Sequence, residues 1–408
     1  MKMFDFKFMA WAAIASLLVF TSCDGDDNGN DDPDDNLTEL KGDLTQSITL
    51  KTGKEYTLTG GFHVKNGATL TIEAGVKIIA EDDDIVDYIL IEQGAKISAQ
   101  GTAANPIVMT SERKEAGAWG GLHICGYAPT NIGATGKSEI GDANYGGNNA
   151  ADNSGILRYI RLEYTGYAFS EEKEANGVTF YGVGNGTEVE YLQAYKGSDD
   201  GFEWFGGTVN VKHLVVTDCS DDSFDWTEGW CGRAQFLVAY QGAESSIGYD
   251  CDCLVEADNN GNNSAATPIS HPTLANLTLV GNSSGTNKRG IRLRAGTQVA
   301  IYNALVKGKA DCLTTETDPT EQSLVDGTSV LDFVHIASGV KTAVNIYSEA
   351  LFTQNTNNAI NQTLTFTRNY IGTVAGGKDM PQVNSFFSAA NYKGAVQENS
   401  DWTQGWTL

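Results

Sequence analysis

A repeat of 22 residues in the middle of the chain limits the possible folds more than any other feature. The segment Val189–Trp204 recurs as Val211–Trp226. A weaker copy, Leu157–Phe180, precedes it and contains an insertion, after which Asn176–Phe180 aligns with Asp200–Trp204 at a spacing of 24 residues. Each copy holds two or three short alternating runs separated by glycine or aspartate. A period of about 20 to 25 residues divided in this way predicts a solenoid, in which each copy forms one coil of a parallel β-helix.

Runs of the same kind extend the coils in both directions, at Gly67–Ala80, Ile89–Ala99, Leu277–Gly281 and Ile301–Val306. Glycine is frequent, at 46 of 408 residues, and helical periodicity is rare, so the expected class is all-β. We therefore predict one domain over residues 37–408, with an N-terminal cap and a C-terminal closing segment. A β-sandwich or a propeller of short strands is the alternative.

Two stretches rich in glycine and asparagine interrupt the coils, at Pro129–Ser154 and Asp258–Pro272. Segments of this length without secondary structure are uncommon inside a domain and often have a function. We predict that both are loops that project from the solenoid.

The N-terminus has the pattern of an export signal. Lys2 and Lys7 precede an apolar run, Phe8–Phe20, which ends in small polar residues before Cys23. The run up to Cys23 resembles a lipobox, although Phe20 stands where leucine is usual. Residues 1–23 are therefore predicted to be a lipoprotein signal peptide, with Cys23 lipidated. An ordinary signal peptide with an incidental cysteine, or an uncleaved anchor, is the alternative.

The segment after Cys23, Asp24–Asn36, contains no apolar residue and is predicted to be a flexible acidic tether. It resembles the surface-export signal of Bacteroidetes lipoproteins, and a plain linker is the other interpretation. The whole chain has a net charge of −25, which argues against nucleic acid as a partner, because nucleic-acid binding requires a basic surface.

Several long motifs resemble one family. They are Ala118–Pro129, Asp152–Glu163, Asn176–Thr179, Gly182–Thr187, Tyr392–Val396 and Asp401–Trp406. Together they resemble a group of right-handed parallel β-helix lipoproteins from Bacteroidetes and marine Gram-negative bacteria, over about Trp119 to Trp406. The group is similar in fold to pectate lyases and has no settled biochemical role. The resemblance therefore implies the fold and an outer-membrane location, and much less about function.

Stacked coils would place carboxylates above one another, about 4.8 Å apart. The pairs are Asp199 with Asp221, Asp200 with Asp222, and Glu203 with Asp225. Two such charges repel by roughly 3–4 kcal/mol at an effective dielectric constant near 20 and by about 1 kcal/mol in water. A bound Ca²⁺ would offset this repulsion, and so would a proton retained by one acid of each pair. Alternatively, the acids lie at coil corners and accept hydrogen bonds from turn amides. The aromatic residues between them are expected in the core.

Basic residues cluster once, at Lys288–Arg294. Strand alternation buries Ile291 and Leu293 and points Arg292 and Arg294 outward together. The two arginines are candidates for binding an anionic sugar, whereas ion pairing with neighbouring coils is the simpler interpretation. A β-helix lyase would use such a base beside Ca²⁺.

Six cysteines follow Cys23, an even number that permits disulfides outside the cytoplasm. Cys219 and Cys231 bracket one turn and could pair, whereas Cys251 and Cys253 share a strand face and should not. The two latter thiols with His271 or His213 are a weak match to a metal site.

These observations lead to three hypotheses. The first is an outer-membrane lipoprotein that binds an extracellular glycan or other nutrient, alongside a TonB-dependent transporter. The second is a Ca²⁺-dependent polysaccharide lyase or glycoside hydrolase. The third is a structural or adhesive surface protein. No complete set of catalytic residues is evident in the sequence, which favours the first hypothesis.

Overall fold

The computed structural model describes residues 37–83, 85–170, 173–282 and 289–408, so Cys23 and the acidic tether lie outside the described residues. In the described part, 23 strands form one sheet that winds through successive coils with parallel neighbours. Val189 lies opposite Val211, and Val211 opposite Ala234, so the repeat is one coil. The chain is a right-handed parallel β-helix, as predicted. The sandwich or propeller alternative is wrong, because both require antiparallel neighbours.

The strands fall into two stacks. The first, here named the bent stack, comprises Ile48–Leu50, Thr69–Ile72, Lys77–Ala80, Lys96–Gln100, Ile107–Ser111, Gly155–Glu163, Glu188–Tyr195, Asn210–Thr217, Arg233–Tyr240, Thr273–Val280, Ala300–Lys307 and Val330–Ile336. The second, named the short stack, comprises Tyr88–Ile91, Leu122–Cys125, Val178–Tyr181, Phe202–Phe205, Phe224–Thr227, Val255–Ala257, Arg289–Leu293, Asp311–Thr315 and Val340–Thr342. The first and third strands along the chain, Glu39–Leu44 and Glu55–Val64, run through both stacks.

Each long strand of the bent stack turns a corner at one residue with positive φ. These residues are Tyr159, Tyr191, His213, Phe236, Asn276, Asn303 and Phe333. Such a conformation costs a non-glycine residue about 1–2 kcal/mol. Ring stacking offsets part of this cost, since the Tyr159 and Tyr191 centroids lie 4.3 Å apart and those of Tyr191 and His213 lie 4.2 Å apart. Trp402 and Trp406 cover the stack edge-on, which explains why the closing segment returns along this corner.

The core is a set of columns that run along the solenoid axis. The aromatic residues predicted to be buried form one of them, with Phe202 over Phe224 at 6.0 Å. Trp204 is 1% exposed and stacks 4.5 Å from Trp230. Strand alternation therefore turns Trp204 inward and leaves Glu203 on the outer surface, as expected from the sequence.

Elements outside the coils are short. They are the two-stranded pairs Gly136–Lys137 with Asn144–Tyr145, Ala168–Ser170 with Lys173–Glu174 and Val374–Ala375 with Tyr392–Lys393, the helices Glu244–Ile247, Asp318–Asp326 and Glu349–Gln354, and the 3₁₀ turn Met380–Gln382. None of the helices in the described ranges is long and apolar enough to span a membrane.

The two predicted loops do not project independently, because they are hydrogen-bonded to each other. Asn131 Nδ2 donates to Asn259 Oδ1 at 2.9 Å and to the Pro268 carbonyl at 3.1 Å. Asn260 Nδ2 donates back to Asn131 Oδ1 at 3.0 Å. Asn131 also donates its backbone N–H to the Glu228 carbonyl, just beyond a strand of the short stack. The loops therefore form one wall beside that stack.

Candidate cation and ligand site

One outward row of the short stack carries most of the predicted site residues. The register places Glu203 opposite Asp225, Asp225 opposite Glu256, and Glu256 opposite Arg292. Their strand neighbours point inward, because Trp204, Trp226 and Ala257 are buried. The stacking of Glu203 over Asp225 follows the sequence prediction, and the row continues directly into the basic cluster.

The turns that precede these strands hold the paired aspartates. Asp200 Oδ1 accepts the backbone N–H of Asp222 at 2.9 Å, and Asp222 Oδ1 accepts the backbone N–H of Cys253 at 2.6 Å. One oxygen of each carboxylate thus accepts a hydrogen bond from a turn amide, as the alternative interpretation of these acids required. Asp200 and Asp222 also belong to the acidic groups described next.

Acidic side chains from these turns and strands converge into overlapping groups, within which oxygens lie no more than 4.8 Å apart. The groups are Glu174 with Asp199 and Asp221, Asp200 with Asp221 and Asp222, Asp200 with Glu203 and Asp225, and Asp222 with Asp225 and Glu256. Oxygens bound to one Ca²⁺ lie about 2.4 Å from the ion, so they can be at most about 4.8 Å from each other. We name this set the carboxylate cluster, and its hard oxygen donors fit Ca²⁺.

Burial and mutual repulsion disfavour ionisation in the carboxylate cluster. Burial first, and then the charge of Asp221, raise the pKa of Asp199 to about 8. Burial also raises the pKa of Glu203 and Asp225 well above their ordinary values, with neighbouring acids adding to the effect. Asp225 Oδ1 is buried and has no hydrogen-bond partner among the described atoms. An orphaned carboxylate oxygen of this kind gains most from a bound cation.

The two predicted arginines are adjacent to the carboxylate cluster. Arg292 Nη1 lies 2.7 Å from Glu256 Oε1, and Arg292 Nε lies 3.0 Å from Glu316 Oε1. Arg294 Nη2 lies 2.5 Å from Glu256 Oε2, and Arg294 Nε lies 2.6 Å from Asp258 Oδ1. The fold therefore brings together both sets of residues predicted from sequence. Glu256 lies between them and contacts both arginines.

The protonation of Arg292 bears on its chemistry. Burial alone would lower the pKa of Arg292, but the hydrogen bonds and charges of Glu316 and Glu256 outweigh burial and raise the pKa. A guanidinium held this way keeps its proton, so it is suited to ion pairing and poorly suited to act as a base.

Several acidic residues near the site were not predicted, among them Glu139, Glu174, Glu256, Asp258 and Glu316. Glu256 lies 31 residues after Asp225, and Cys253 likewise lies 31 residues after Asp222. The spacing exceeds 22 residues because an insertion lengthens this coil. The alternation of Glu256 with the apolar residues Val255 and Ala257 was the sequence signal that could have predicted its outward position. Glu139 reaches the site only through a loop, and its Oε2 accepts a hydrogen bond from Tyr181 at 3.2 Å. No sequence pattern indicates that contact.

The cysteine predictions have mixed outcomes. The structure does not join Cys219 to Cys231, whose Sγ instead donates to the carbonyls of Ile269 and Gly229. The pairing is unnecessary because adjacent coils already fix the turn. His213 stacks on Tyr191, and none of the potential metal groups among the described residues includes a histidine. Cys253 instead joins Asp222 and Asp252 at the edge of the carboxylate cluster.

Comparison with known proteins agrees with this architecture. No curated protein matches the chain. The family model described as the pectate-lyase-like β-helix domain matches residues 42–407, which covers the solenoid from its first coil to the closing segment. The chain therefore belongs to the pectate-lyase-like β-helix family.

Proposed function

We propose that this protein binds Ca²⁺ through the carboxylate cluster. The observation that carries the proposal is Asp225, which has a buried oxygen without a hydrogen-bond partner among the described atoms and belongs to two acidic groups whose oxygens approach within 4.8 Å of one another. The nearest arginines are already paired with Glu256 and Asp258, and the other acids of the cluster become negatively charged as they ionise. A hard divalent cation compensates such a group through several carboxylates at once.

We further propose that the cation and the arginines together hold an extracellular glycan. Ca²⁺ can accept hydroxyl or carboxylate oxygens from the ligand in its open coordination positions, and Arg292 and Arg294 can hydrogen-bond an acidic sugar. The wall formed by the two loops borders the same stack and limits where a chain-like ligand can lie. Binding is preferred over β-elimination, because Arg292 is held in its protonated form by Glu256 and Glu316.

Calorimetric titration tests the cation site. Wild-type protein is expected to bind Ca²⁺ with a Kd of about 10⁻⁵ to 10⁻³ M, and Asp225→Asn should weaken binding at least about tenfold. Asp326→Asn is the matched control, since Asp326 is exposed and, among the described residues, hydrogen-bonds only to Thr328. Absence of Ca²⁺ binding by the wild type, or equal binding by both variants, would refute the site.

A second experiment separates binding from catalysis. Polygalacturonate should be retained by the protein in Ca²⁺ and released by a chelator, and Arg294→Ala should weaken retention about tenfold. An increase in short-wavelength ultraviolet absorbance would reveal the conjugated alkene made by a lyase, and new reducing ends without it would reveal a hydrolase. Saturable binding with neither product supports the capture function. No retention of polygalacturonate, with Ca²⁺ binding intact, would favour a structural or adhesive role.

The proposed location follows from the N-terminal sequence. We propose that Cys23 anchors the protein in the outer membrane, exposed at the cell surface, where it passes its ligand to a TonB-dependent transporter. Wild-type cells should incorporate a clickable palmitate analogue into the protein, and the protein on intact cells should be open to protease. Cys23→Ala should abolish labelling and release the protein from membranes. Persistent labelling of this variant, or complete protection on intact cells, would contradict the assignment.

A further inference from the structure

A second cleft lies on the outer surface of the bent stack, away from the carboxylate cluster. Its volume is about 310 Å³, at the lower end of the range for small-ligand sites. The turn before Glu188–Tyr195 and the first residues of the strands Glu188–Tyr195 and Asn210–Thr217 form its floor, and the closing segment contributes Phe386 as a side wall. The remaining lining is largely polar, with two carboxamides, two carboxylates and one ammonium group.

The charged groups that line the cleft already have partners. Glu188 forms a close ion pair with Arg158, whose Nη2 also lies 3.8 Å from Glu190 Oε2, and Glu190 Oε1 lies 3.0 Å from Nδ1 of His213, whose pKa is lowered by burial. Lys212 Nζ donates to Ser388 Oγ at 3.0 Å and lies 4.7 Å from the ring centroid of Phe386. A metal ion would have to break the carboxylate pairs. A phosphate or carboxylate ligand would face two acidic groups against one lysine.

The uncommitted polar groups are the two carboxamides. Asn210 Oδ1 accepts the backbone N–H of Arg233 at 2.9 Å, which fixes the side chain, and its Nδ2 makes no hydrogen bond to another described residue. The Asn185 side chain is exposed and likewise makes none within the described ranges. Carboxamides both donate and accept, so they match hydroxyl groups, which do the same.

The apolar wall is held in a fixed position. Phe386 is half-buried, and its centroid lies 5.2 Å from that of Phe387 in an edge-on arrangement. Phe387 is 3% exposed and anchors the pair against Ala275 and Met380. A fixed aromatic ring beside free carboxamides complements a pyranose ring, which has C–H groups on its faces and hydroxyl groups around its edge.

We infer that this cleft binds a neutral pyranose, as a second glycan site on the bent stack. The inference is independent of the cation proposal, because none of the cleft residues belongs to the carboxylate cluster. Two sites on different faces would allow one solenoid to hold two segments of glycan.

Saturation-transfer NMR tests the inference with methyl glucoside, methyl galactoside, methyl mannoside and N-acetylglucosamine as probes, and glucuronate as the charged comparison. At least one neutral probe should bind the wild type in a saturable manner and more tightly than glucuronate. Asn185→Ala should weaken that binding about tenfold without affecting folding, since this side chain makes no internal hydrogen bond among the described residues. Phe386→Ala should have at least as large an effect.

Asp225→Asn should leave sugar binding at the cleft unchanged, which separates this inference from the Ca²⁺ proposal. Binding of no neutral probe by the wild type would overturn the inference, and so would equal affinity in Asn185→Ala. If Phe386→Ala unfolds the closing segment, as judged by circular dichroism, the Asn185→Ala result alone decides. Loss of sugar binding in Asp225→Asn with the fold intact would mean that the sugar binds at the carboxylate cluster and not in this cleft.

Discussion

Replacing Trp204 by alanine is expected to lower the free energy of unfolding by about 3–5 kcal/mol. The side chain is 1% exposed, and its ring stacks on Trp230 at 4.5 Å and on Phe180 at 5.8 Å. Truncation would leave a cavity between two coils that are held in register by backbone hydrogen bonds and cannot collapse onto it. Urea denaturation should show a lower midpoint with an unchanged m value.

Two further variants sharpen this test. Trp204→Phe should cost less than Trp204→Ala, because it keeps a ring and removes an indole N–H that has no hydrogen-bond partner among the described atoms. Val325→Ala serves as the control, since Val325 is 44% exposed on the helix Asp318–Asp326 and should change the midpoint little. A loss for Trp204→Ala no larger than that for Val325→Ala would mean that the aromatic column does not hold the coils together.

The contrast between Trp204 and Glu256 shows what could be predicted from the sequence. Where coils keep the 22-residue period, alternation alone assigned Trp204 to the core and Glu203 to the surface, and the register placed Asp225 beside Glu203. Glu256 occupies the next position in the row, but the insertion before its strand lengthens the coil and hides the alignment. A fixed repeat length therefore predicts which residues lie side by side only in coils whose turns have the same length.

Contacts made by insertions could not be predicted, because they depend on tertiary geometry rather than on period. Asn131 and Asn259 are distant in sequence, yet they join the two loops into one wall. The ion pairs of Arg292 illustrate the same limit. The alternation showed that this side chain points outward, but only the stacked structure shows that Glu256 and Glu316 already hold it.

The carboxylate cluster should make stability depend on pH and on Ca²⁺ together. In a chelator, the free energy of unfolding is expected to fall as pH rises from about 6.5 to about 8. Burial and neighbouring acids raise the pKa of Asp199 to about 8, and burial raises the pKa of Glu139, which lies outside the cluster but interacts with Asp199, to about 7. A carboxyl with a raised folded-state pKa contributes stability that is fully present below its unfolded pKa and is lost as pH rises through the folded pKa.

The lower limit of this window is set by His123. Burial lowers the pKa of His123 to about 4, so this residue favours folding more strongly as pH rises toward the ordinary histidine value of 6.5. Its contribution has the opposite sign to that of the carboxyl groups and is complete once the imidazole is neutral in both states. Thermal melts above about pH 6.5 therefore report on the acids.

Calcium should reverse the loss at the alkaline end of the window. At a concentration about 100 times its Kd, Ca²⁺ is expected to add about 2.7 kcal/mol to the free energy of unfolding, because it binds only the folded cluster. The gain should be larger near pH 8 than near pH 6.5, since the ion and the protons compete for the same oxygens. KCl of equal ionic strength separates this effect from general screening of the net charge of −25. A stability that rises with pH in chelator, or an equal gain from KCl, would show that the acids are individually solvated and that the cluster holds no ion.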